Sequence, residues 1–472
     1  MSVDRTIPAT VALLCALSLI LWLDKAEPVG FHERIAPAEA EVEIEMAPRA
    51  PRKPYVPIAS SHKLETSGVI ADATLPGSWP RFRGKNADGV AARQPELART
   101  WPPGGPPKLW SVEVGDGYAG AAVLEGRVYV MDYDEAALRD TLRCLSLEDG
   151  KEIWRLSHPV DVKWNYGMSR TVPAVTQKWV VGFGPLCHVI CADAKTGEFK
   201  WGIDLVREHG AKVPGWYAGQ CPLIDRGRAI IAVGGPDALM MAVDCETGKI
   251  EWKTPNPNKW QMTHSSIIPL DIGGKRTYLY SASGGIVAVS ADTGEILWQD
   301  NTWYARRASI PSPVIVGGGR VFLTAGYGAG SRMLKFSKSR RAIAASTLFK
   351  LRPHAFGAEQ HTPILYNNNI YGISIKRELV CLDLAGRRIW TSGRQKRFGR
   401  GPYVIANGLI YLMNDTGVLT LAEATPSGYR QLAQAKVLPA EDKEAWGPMA
   451  IAGGRLIIRD MKHMICLDVR RK

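Results

Sequence analysis

A glycine followed four residues later by a tryptophan recurs along the chain, and this repeat constrains the fold more than any other feature. The five copies are Gly150–Trp154, Gly197–Trp201, Gly248–Trp252, Gly294–Trp298 and Gly386–Trp390. Because tryptophan supplies only 15 of the 472 residues, five such coincidences indicate a repeated structural unit. Successive tryptophans from Trp110 to Trp298 are 44, 47, 51 and 46 residues apart, and the 92 residues from Trp298 to Trp390 are twice that period.

A repeat of this length, built from short alternating apolar runs and tight turns, is typical of the blades of a β-propeller. Runs such as VFLTAG and LIYLMN are bounded by turn clusters such as VGGGR and IANG. Counting one outer strand per tryptophan, with a degenerate one near Phe349 and another near Tyr429, predicts eight four-stranded blades. The C-terminal unit supplies only three strands, so we predict that KLWSVEV (108–114) pairs with it and closes the ring.

Each part of the motif has a structural interpretation. An Asp or Ser (Ser146, Asp193, Asp244, Ser290, Asp383) can bond the turn backbone, and the glycine supplies the positive φ of the turn. The tryptophans are predicted to dock one blade on the next; they are Trp110, Trp154, Trp201, Trp252, Trp298 and Trp390. A small residue stands two positions before each Asp or Ser. In four blades it is a cysteine (Cys144, Cys191, Cys381, Cys466), which we interpret as a reduced core residue.

The repeat also carries a family resemblance. AVDCETGKIEW resembles the tryptophan-docking motif of quinoprotein propellers, and WPRFRGKNADGV (79–90) resembles the start of PQQ-binding-like β-propeller repeat proteins. The likeness covers residues 79–472. It implies the propeller fold, which that superfamily shares between pyrroloquinoline quinone (PQQ) alcohol dehydrogenases and the cofactor-free propeller lipoprotein of the outer-membrane barrel-assembly machinery.

The resemblance does not extend to the chemistry of the enzymes. They clamp the quinone against a disulfide of two adjacent cysteines beside a protein-bound Ca²⁺, and this sequence contains no adjacent cysteines. No segment matches their calcium-binding or catalytic residues. Calcium requires about six to eight oxygen ligands gathered in one place, and no such set can be identified in the sequence. We therefore predict no catalytic residues and no cofactor, with PQQ and Ca²⁺ as the alternative. Cys187, His188 and Cys191 match no common metal-site spacing, so no metal site is predicted.

A binding surface is predicted at one mouth of the central channel. Aligning the inner strands on their prolines places six residues there: Arg170, Gln220, His264, His361, Arg400 and Trp446. The loops entering these strands are aromatic and are candidate partner-binding elements: Trp164, Trp216, Trp260, Trp303 and Tyr304. The alternative is that these rings fill gaps between loops and seal the ring.

The N-terminus differs in composition from the repeats. The uncharged stretch TIPATVALLCALSLILWL (6–23) is long enough to cross a bilayer, so residues 1–23 are predicted to be a membrane anchor, with a cleaved signal as the alternative. The Pro/Ala/charged residues 24–78 are predicted to be a linker, residues 79–107 a lead-in segment packed on the propeller, and residues 108–472 the propeller itself.

These features predict a membrane-tethered, extracytoplasmic scaffold that binds another protein or an envelope component without catalysis; cleavage of the N-terminal segment would make it secreted. A divergent PQQ-dependent oxidoreductase is the first alternative, and binding of carbohydrate or another anionic polymer on a basic aromatic face is the second. The net charge of +13 is concentrated in local clusters, so nucleic acid is not predicted as a partner. Oligomeric state is not predicted.

Overall fold

The computed structural model describes residues 56–472 except 306, 339–341 and 440–443. Within these residues the strands form eight separate sheets, each containing a four-stranded antiparallel meander, and the eight-bladed prediction is confirmed. Blade 1 comprises Ala122–Leu124, Arg127–Asp134, Arg139–Ser146 and Glu152–Pro159, and blade 2 comprises Ala174–Val175, Trp179–Phe183, His188–Asp193 and Phe199–Asp204. Blade 3 comprises Leu223–Asp225, Arg228–Ala232, Met240–Asp244 and Ile250–Thr254, and blade 4 comprises Ile268–Ile272, Lys275–Ala282, Gly285–Ser290 and Ile296–Asp300.

The second half of the chain repeats this arrangement, and the strands of each blade again follow one another from the channel outward. Blade 5 comprises Val314–Gly317, Arg320–Ala325, Gly330–Lys338 and Ile343–Leu351, and blade 6 comprises Ile364–Tyr366, Asn369–Ile373, Leu379–Leu382 and Arg388–Thr391. Blade 7 comprises Tyr403–Ala406, Leu409–Met413, Val418–Glu423 and Gln431–Lys436, and blade 8 comprises Ala450–Ala452, Arg455–Arg459, His463–Asp468 and Lys108–Glu113. The last of these strands pairs antiparallel with His463–Asp468, so blade 8 takes its outer strand from the N-terminal side of the propeller as the sequence predicted.

The docking tryptophans lie in the outer strands, and the rings of Trp110, Trp154, Trp201 and Trp252 pack on the motif glycine of the next blade, whereas Trp390 packs against Tyr429 of blade 7. A Cβ built on Gly150 would lie 2.9 Å from the Trp110 ring, and one on Gly294 would lie 2.6 Å from the Trp252 ring. Four indole N–H groups donate to a backbone carbonyl of the following blade: Trp110 to Leu147 (3.0 Å), Trp201 to Cys245 (3.1 Å), Trp252 to Ala291 (3.3 Å) and Trp390 to Thr425 (2.9 Å). Steric fit and hydrogen bonding therefore join neighbouring blades at the same point.

Two blade contacts depart from this pattern. The Trp154 indole N–H has no partner within the described residues, because the carbonyl of Ala194 accepts the Tyr129 hydroxyl instead (2.9 Å). Trp298 meets blade 5, which lacks the motif, and its ring packs edge-on against Phe336 with centroids 5.0 Å apart. Blade 5 itself docks through Phe349, whose ring lies 2.6 Å from the position of a Cβ on Gly386.

The segment before the propeller is more ordered than its composition suggested. A short helix, Ile58–Ser61, buries Ile58 against Gly202 of blade 2, and the strand Lys63–Thr66 pairs with the outer strand of blade 1. The His62 ring stacks on Phe199 at 4.2 Å. Residues 58–66, which lie within the predicted linker, therefore cover the edge of blade 1 and contact blade 2 through a few apolar side chains.

The first part of the lead-in segment, residues 79–91, crosses the central channel. The carbonyl of Pro80 accepts the amide of Val175 in blade 2, while the Arg83 guanidinium donates to the carbonyls of Thr362 (2.7 Å) and Pro363 (2.9 Å), which lead into blade 6. Blades 2 and 6 stand opposite each other in an eight-membered ring. The chain from Pro80 to Arg83, together with the Arg83 side chain, therefore spans the channel. The strand Val90–Ala91 then pairs in parallel with the inner strand of blade 7.

Besides the helix at residue 58, the described residues contain one helix, Leu205–His209, which Asp204 caps through the amides of Val206 and Arg207. No helix among these residues is long and apolar enough to span a membrane. The predicted anchor, residues 1–23, lies outside the described part of the chain.

Candidate functional site

A belt of hydrogen bonds links neighbouring blades around the channel, at the position two residues before each inner strand. The Val172 amide donates to Cys221 Sγ (3.2 Å), the Cys221 amide to Ser266 Oγ (2.9 Å), the Ser266 amide to Ser312 Oγ (3.0 Å) and the Ser312 amide to Thr362 Oγ1 (2.8 Å). All five residues are buried. This belt, which connects blades 2 through 6, fixes the residues immediately before it at the mouth of the channel.

A cavity of about 360 Å³ opens at this mouth. Its lining includes five of the six residues predicted from the sequence: Arg170, His264, His361, Arg400 and Trp446. Phe82, from the segment that crosses the channel, also lines the cavity and forms part of its floor. The proline alignment therefore located a real concavity, although its ligand remains a prediction.

Gln220 is the exception, and the structure assigns it a structural role. Its side chain is fully buried and bonds both backbone groups of Ala232, donating to the carbonyl at 2.7 Å and accepting from the amide at 2.9 Å. The neighbouring Gly219 lines the cavity instead. The offset from the proline does not by itself decide which side chains reach the cavity, because His361 stands two residues before Pro363, as Gln220 does before Pro222, and lines the cavity.

Two arginines of the cavity are positioned over aromatic rings. The Arg170 guanidinium lies 5.0 Å from the centre of the Tyr118 ring, and that of Arg400 lies 5.6 Å from the Trp446 ring. Tyr118 and Trp446 stack on each other with centroids 5.4 Å apart. These cation–π contacts hold two positive charges at the mouth of the cavity.

The two cavity histidines are neutral at physiological pH. Burial, reinforced by the charge of Arg170, lowers the pKa of His264 to about 4. Burial, reinforced by Arg83, likewise lowers the pKa of His361 to about 4. The Nε2 atom of His361 is buried without a partner among the described residues. The positive charge of the site therefore comes from arginine, with neutral imidazoles beside it.

The aromatic loops divide into buried and exposed members. Trp260 and Trp303 are 9% and 7% exposed, so the structure does not support them as partner-binding residues: Trp260 packs on Gly284 and Gly285, and Trp303 lies under the Arg332 guanidinium. Trp164 and Tyr304 are 63% and 46% exposed. Trp216 is half-buried and lines the cavity. The gap-filling interpretation therefore holds for Trp260 and Trp303, and partner binding stays a prediction for Trp164, Trp216 and Tyr304.

The exposed loop of blade 2 is fixed by hydrogen bonds. Arg170 donates to the carbonyls of Asn165 (2.8 Å) and Tyr166 (3.0 Å), and the Asn165 amide group donates to Gly215 in the neighbouring loop (2.8 Å). The Trp164 indole donates to Asp116 at 3.2 Å. These bonds hold an exposed aromatic surface in place before any partner is bound.

Several lining residues were not predicted from the sequence. Tyr118, Tyr327 and Gln360 line the cavity without having been identified, whereas Tyr166 and the exposed Arg307, which also line it, belong to the aromatic and basic loops that the sequence indicated. Gln360 stands three residues before Pro363, the offset that places Arg170 relative to Pro173, so a stricter alignment would have identified it. Tyr118 precedes the first inner strand and Phe82 precedes the repeats altogether, so no repeat position indicated them.

The cavity does not suit calcium. Among the described residues its lining contains no carboxylate, and Ca²⁺ is bound by clusters of carboxylate and carbonyl oxygens. Acids that contact the lining residues already have partners: Asp415 accepts the Trp446 indole (2.6 Å), Glu359 accepts Arg377 (2.8 Å) and Arg400 (3.3 Å), and Glu444 accepts the Tyr118 hydroxyl. The donor set therefore does not fit a quinone–calcium centre.

Comparison with known families agrees with the docking geometry. Residues 138–392 match the family described as outer membrane protein assembly factor BamB, and this match spans more than half of the chain. The chain belongs to this family. Its members share the PQQ-like propeller, whose repeat motif is the Gly-to-Trp unit that joins the blades described above.

Curated relatives and solved structures connect the chain to enzymes as well. A 1-butanol dehydrogenase (quinone) from Thauera butanivorans is 29% identical over 126 residues, and the quinoprotein alcohol dehydrogenase PedH from Pseudomonas putida is 28% identical over 130 residues. The matches cover 24% and 25% of this chain and 19% and 20% of the relatives, so the chain spans about a fifth of their length.

Two solved structures show the same fold at low identity. BamB from Moraxella catarrhalis superposes with a TM-score of 0.54 at 14% identity, covering 77% of this chain and 99% of that one. A europium-containing methanol dehydrogenase superposes with a TM-score of 0.56 at 12% identity, covering 84% and 90%. These likenesses establish the propeller and leave its function to the residues of the site.

Proposed function

We propose that this protein is a non-catalytic scaffold that binds another protein during assembly of the cell envelope, as the name of its family suggests. The binding surface is the mouth face, which we define as Trp164, Tyr166, Tyr304 and Arg307 around the cavity. In this proposal the N-terminal segment tethers the propeller to a membrane and the mouth face projects on the extracytoplasmic side.

The observation that carries the proposal is the combination of exposed aromatic rings with the positive charges of Arg170 and Arg307. Trp164, Tyr166 and Tyr304 are 63%, 55% and 46% exposed, and tryptophan, tyrosine and arginine dominate protein-binding hot spots. Because hydrogen bonds already fix the Trp164 loop, binding loses little conformational entropy. The arginines and the absence of acidic lining residues in the described cavity favour a partner segment that carries carboxylates.

Site-specific photo-crosslinking in native membranes tests this proposal. A photoreactive residue at position 164 or 304 is expected to capture one defined protein, and a photoreactive residue at Leu348, which is 51% exposed on the outer strand of blade 5, is expected not to. Arg307→Glu reverses a charge on the mouth face and is expected to reduce capture about tenfold, whereas Arg471→Glu, on the C-terminal tail, leaves it unchanged. Equal capture from all three positions contradicts the proposal.

The alternative function is a quinone-dependent oxidoreductase with a divergent site. The identity of 28–29% to quinoprotein alcohol dehydrogenases over 126–130 residues favours it. Against it stand the lack of adjacent cysteines in the sequence and the lack of carboxylates in the described lining of the cavity. We therefore propose that the protein functions without PQQ.

A further inference from the structure

A buried cluster of one carboxylate and two imidazoles lies at the seam between blades 1 and 2. Asp140 and His158 face each other directly across the third and outer strands of blade 1, and His188 begins the third strand of blade 2. Asp140 is 0% exposed and His158 is 2% exposed, and the side chain of His188 is 14% exposed. None of the three lines the channel cavity.

These side chains lack the partners that buried polar groups require. Within the described residues, both carboxylate oxygens of Asp140, both ring nitrogens of His158 and Nδ1 of His188 are buried without a hydrogen bond. Native proteins pair nearly all such atoms because an unpaired one is costly. Five unpaired atoms on three adjacent side chains indicate a binding site for something that accepts several lone pairs at once.

The spacing of the cluster suits a metal ion. One ligand atom from each residue lies within 4.8 Å of those of the other two, and His158 Nε2 lies 4.0 Å from Asp140 Oδ2. Ligand atoms about 2.0–2.1 Å from a tetrahedral zinc ion are about 3.3–3.5 Å apart, so small side-chain rotations bring the three into range. We propose that Asp140, His158 and His188 bind one divalent transition-metal ion, with zinc as the expected occupant and water in the fourth position.

The surroundings of the cluster are arranged as they are in metal sites. His188 Nε2 lies 3.6 Å from Asp204 Oδ2, so a carboxylate orients one imidazole while its Nδ1 stays unpaired. Gly184 leaves room for the Asp140 carboxylate, since a Cβ at that position would lie 1.8 Å from Asp140 Oδ2. Imidazole nitrogen and carboxylate oxygen form a donor set typical of zinc.

The propeller repeat does not require these residues. Asp140 stands four residues before Cys144, and the corresponding position before Ala242 in blade 3 holds Ala238. His158 stands four residues after Trp154, and the corresponding position after Trp252 holds Asn256. The cluster is therefore a local feature of blades 1 and 2, and a bound ion would join the two blades by direct coordination.

Metal titration of the purified full chain tests this inference. After dialysis against a chelator, one equivalent of Zn²⁺ is expected to bind, and Co²⁺ is expected to give the visible absorption of a four-coordinate site. Asp140→Asn and His158→Gln are each expected to weaken binding about 100-fold or more, and Asp204→Asn, which removes the orienting carboxylate, about 10- to 100-fold. Gly184→Ala, which displaces Asp140 without changing a ligand, is expected to weaken binding as well.

His463→Gln is the matched control, because His463 Nδ1 lies 3.3 Å from Asp460 and neither residue belongs to the three-residue cluster. This variant is expected to bind metal as the unmodified chain does. Thermal unfolding without metal identifies variants that fail to fold, and the Co²⁺ spectrum reports the ligand set for those that do fold. Binding of less than one equivalent, or equal affinity in Asp140→Asn, His158→Gln and the unmodified chain, overturns the inference.

Discussion

At the scale of single residues, the Gly-to-Trp motif pairs a large side chain with small neighbours in its own blade and in the next. Each docking tryptophan lies directly across from the small residue of its own blade, as Trp154 does from Cys144 and Trp252 from Ala242. In blade 5 the small residue is replaced by the larger Met333 and the tryptophan by the smaller Phe349, and the two residues again lie opposite each other. The small side chain leaves room for the indole, which then reaches the glycine of the next blade. The cysteines therefore serve as small core residues, and burial raises the pKa of the Cys144 thiol.

Replacement of a motif glycine tests this packing. Gly294→Ala places a methyl group 2.6 Å from the Trp252 ring at a φ of +74°, so we expect it to reduce the free energy of unfolding by about 2–4 kcal/mol. Gly274→Ala in the same blade has a φ of +79° and nothing within 4 Å, so we expect only the backbone cost of about 1–2 kcal/mol. Urea unfolding measures both, and equal losses would contradict the proposed role of the glycine.

The cavity histidines predict a dependence of stability on pH. Both have a pKa of about 4 in the folded protein against 6.5 ordinarily, so the unfolded chain takes up protons first as pH falls. Their contribution to stability is present above pH 6.5 and is lost as the pH falls toward 4. The double variant His264→Gln/His361→Gln is expected to lose less stability between pH 7 and pH 4 than the unmodified chain. Parallel stability curves for the two proteins, measured by urea unfolding at each pH, would be inconsistent with this account.

At the scale of elements, two features that the sequence did not reveal hold the ring together. The belt of side-chain hydrogen bonds before the inner strands joins blades 2 through 6, and the segment 79–91 ties opposite sides of the channel. Serine, threonine and cysteine at the belt positions look unremarkable in the sequence, because any of them also suits an ordinary turn. Only the closed arrangement of blades shows that each side chain meets the amide of the blade before it.

Removing one side chain of the belt tests its contribution. Ser312→Ala leaves the buried amide of Ser266 without its acceptor, so we expect a loss of about 1–3 kcal/mol in the free energy of unfolding. Ser427→Ala, at an exposed turn, is expected to change stability by less than about 0.5 kcal/mol. A Ser312→Ala variant as stable as the Ser427→Ala variant would show that the belt does not contribute.

The crossing segment makes a separate prediction. Arg83 is 9% exposed and donates to Thr362 and Pro363 across the channel, whereas the guanidinium bonds of Arg81 stay within the segment. Arg83→Met leaves buried carbonyls unpaired and is expected to raise the rate of proteolysis within residues 79–91 about tenfold or more, while Arg81→Met changes it little. Limited proteolysis with mass spectrometry of the fragments measures this, and equal cleavage of both variants would contradict the proposed tie.

At the scale of the whole molecule, the periodic part of the chain was predictable and the singular parts were not. The spacing of the motif indicated eight blades, because the docking contact recurs at most seams, and the three strands of the C-terminal unit indicated the outer strand of blade 8. The proline alignment located five cavity residues but misplaced Gln220, whose side chain bonds the backbone of Ala232 instead. Asp140, His158 and His188 come together only because blades 1 and 2 are neighbours, which no local pattern records.

We propose that the propeller binds partners without quinone chemistry. Titration of the purified chain with pyrroloquinoline quinone and Ca²⁺, followed by absorption and by dye-linked alcohol oxidation, tests it most directly, with a quinone-dependent 1-butanol dehydrogenase as the positive control. We expect no stoichiometric quinone binding and no turnover, because the described cavity lacks carboxylates for calcium. One equivalent of bound quinone with alcohol oxidation would contradict it.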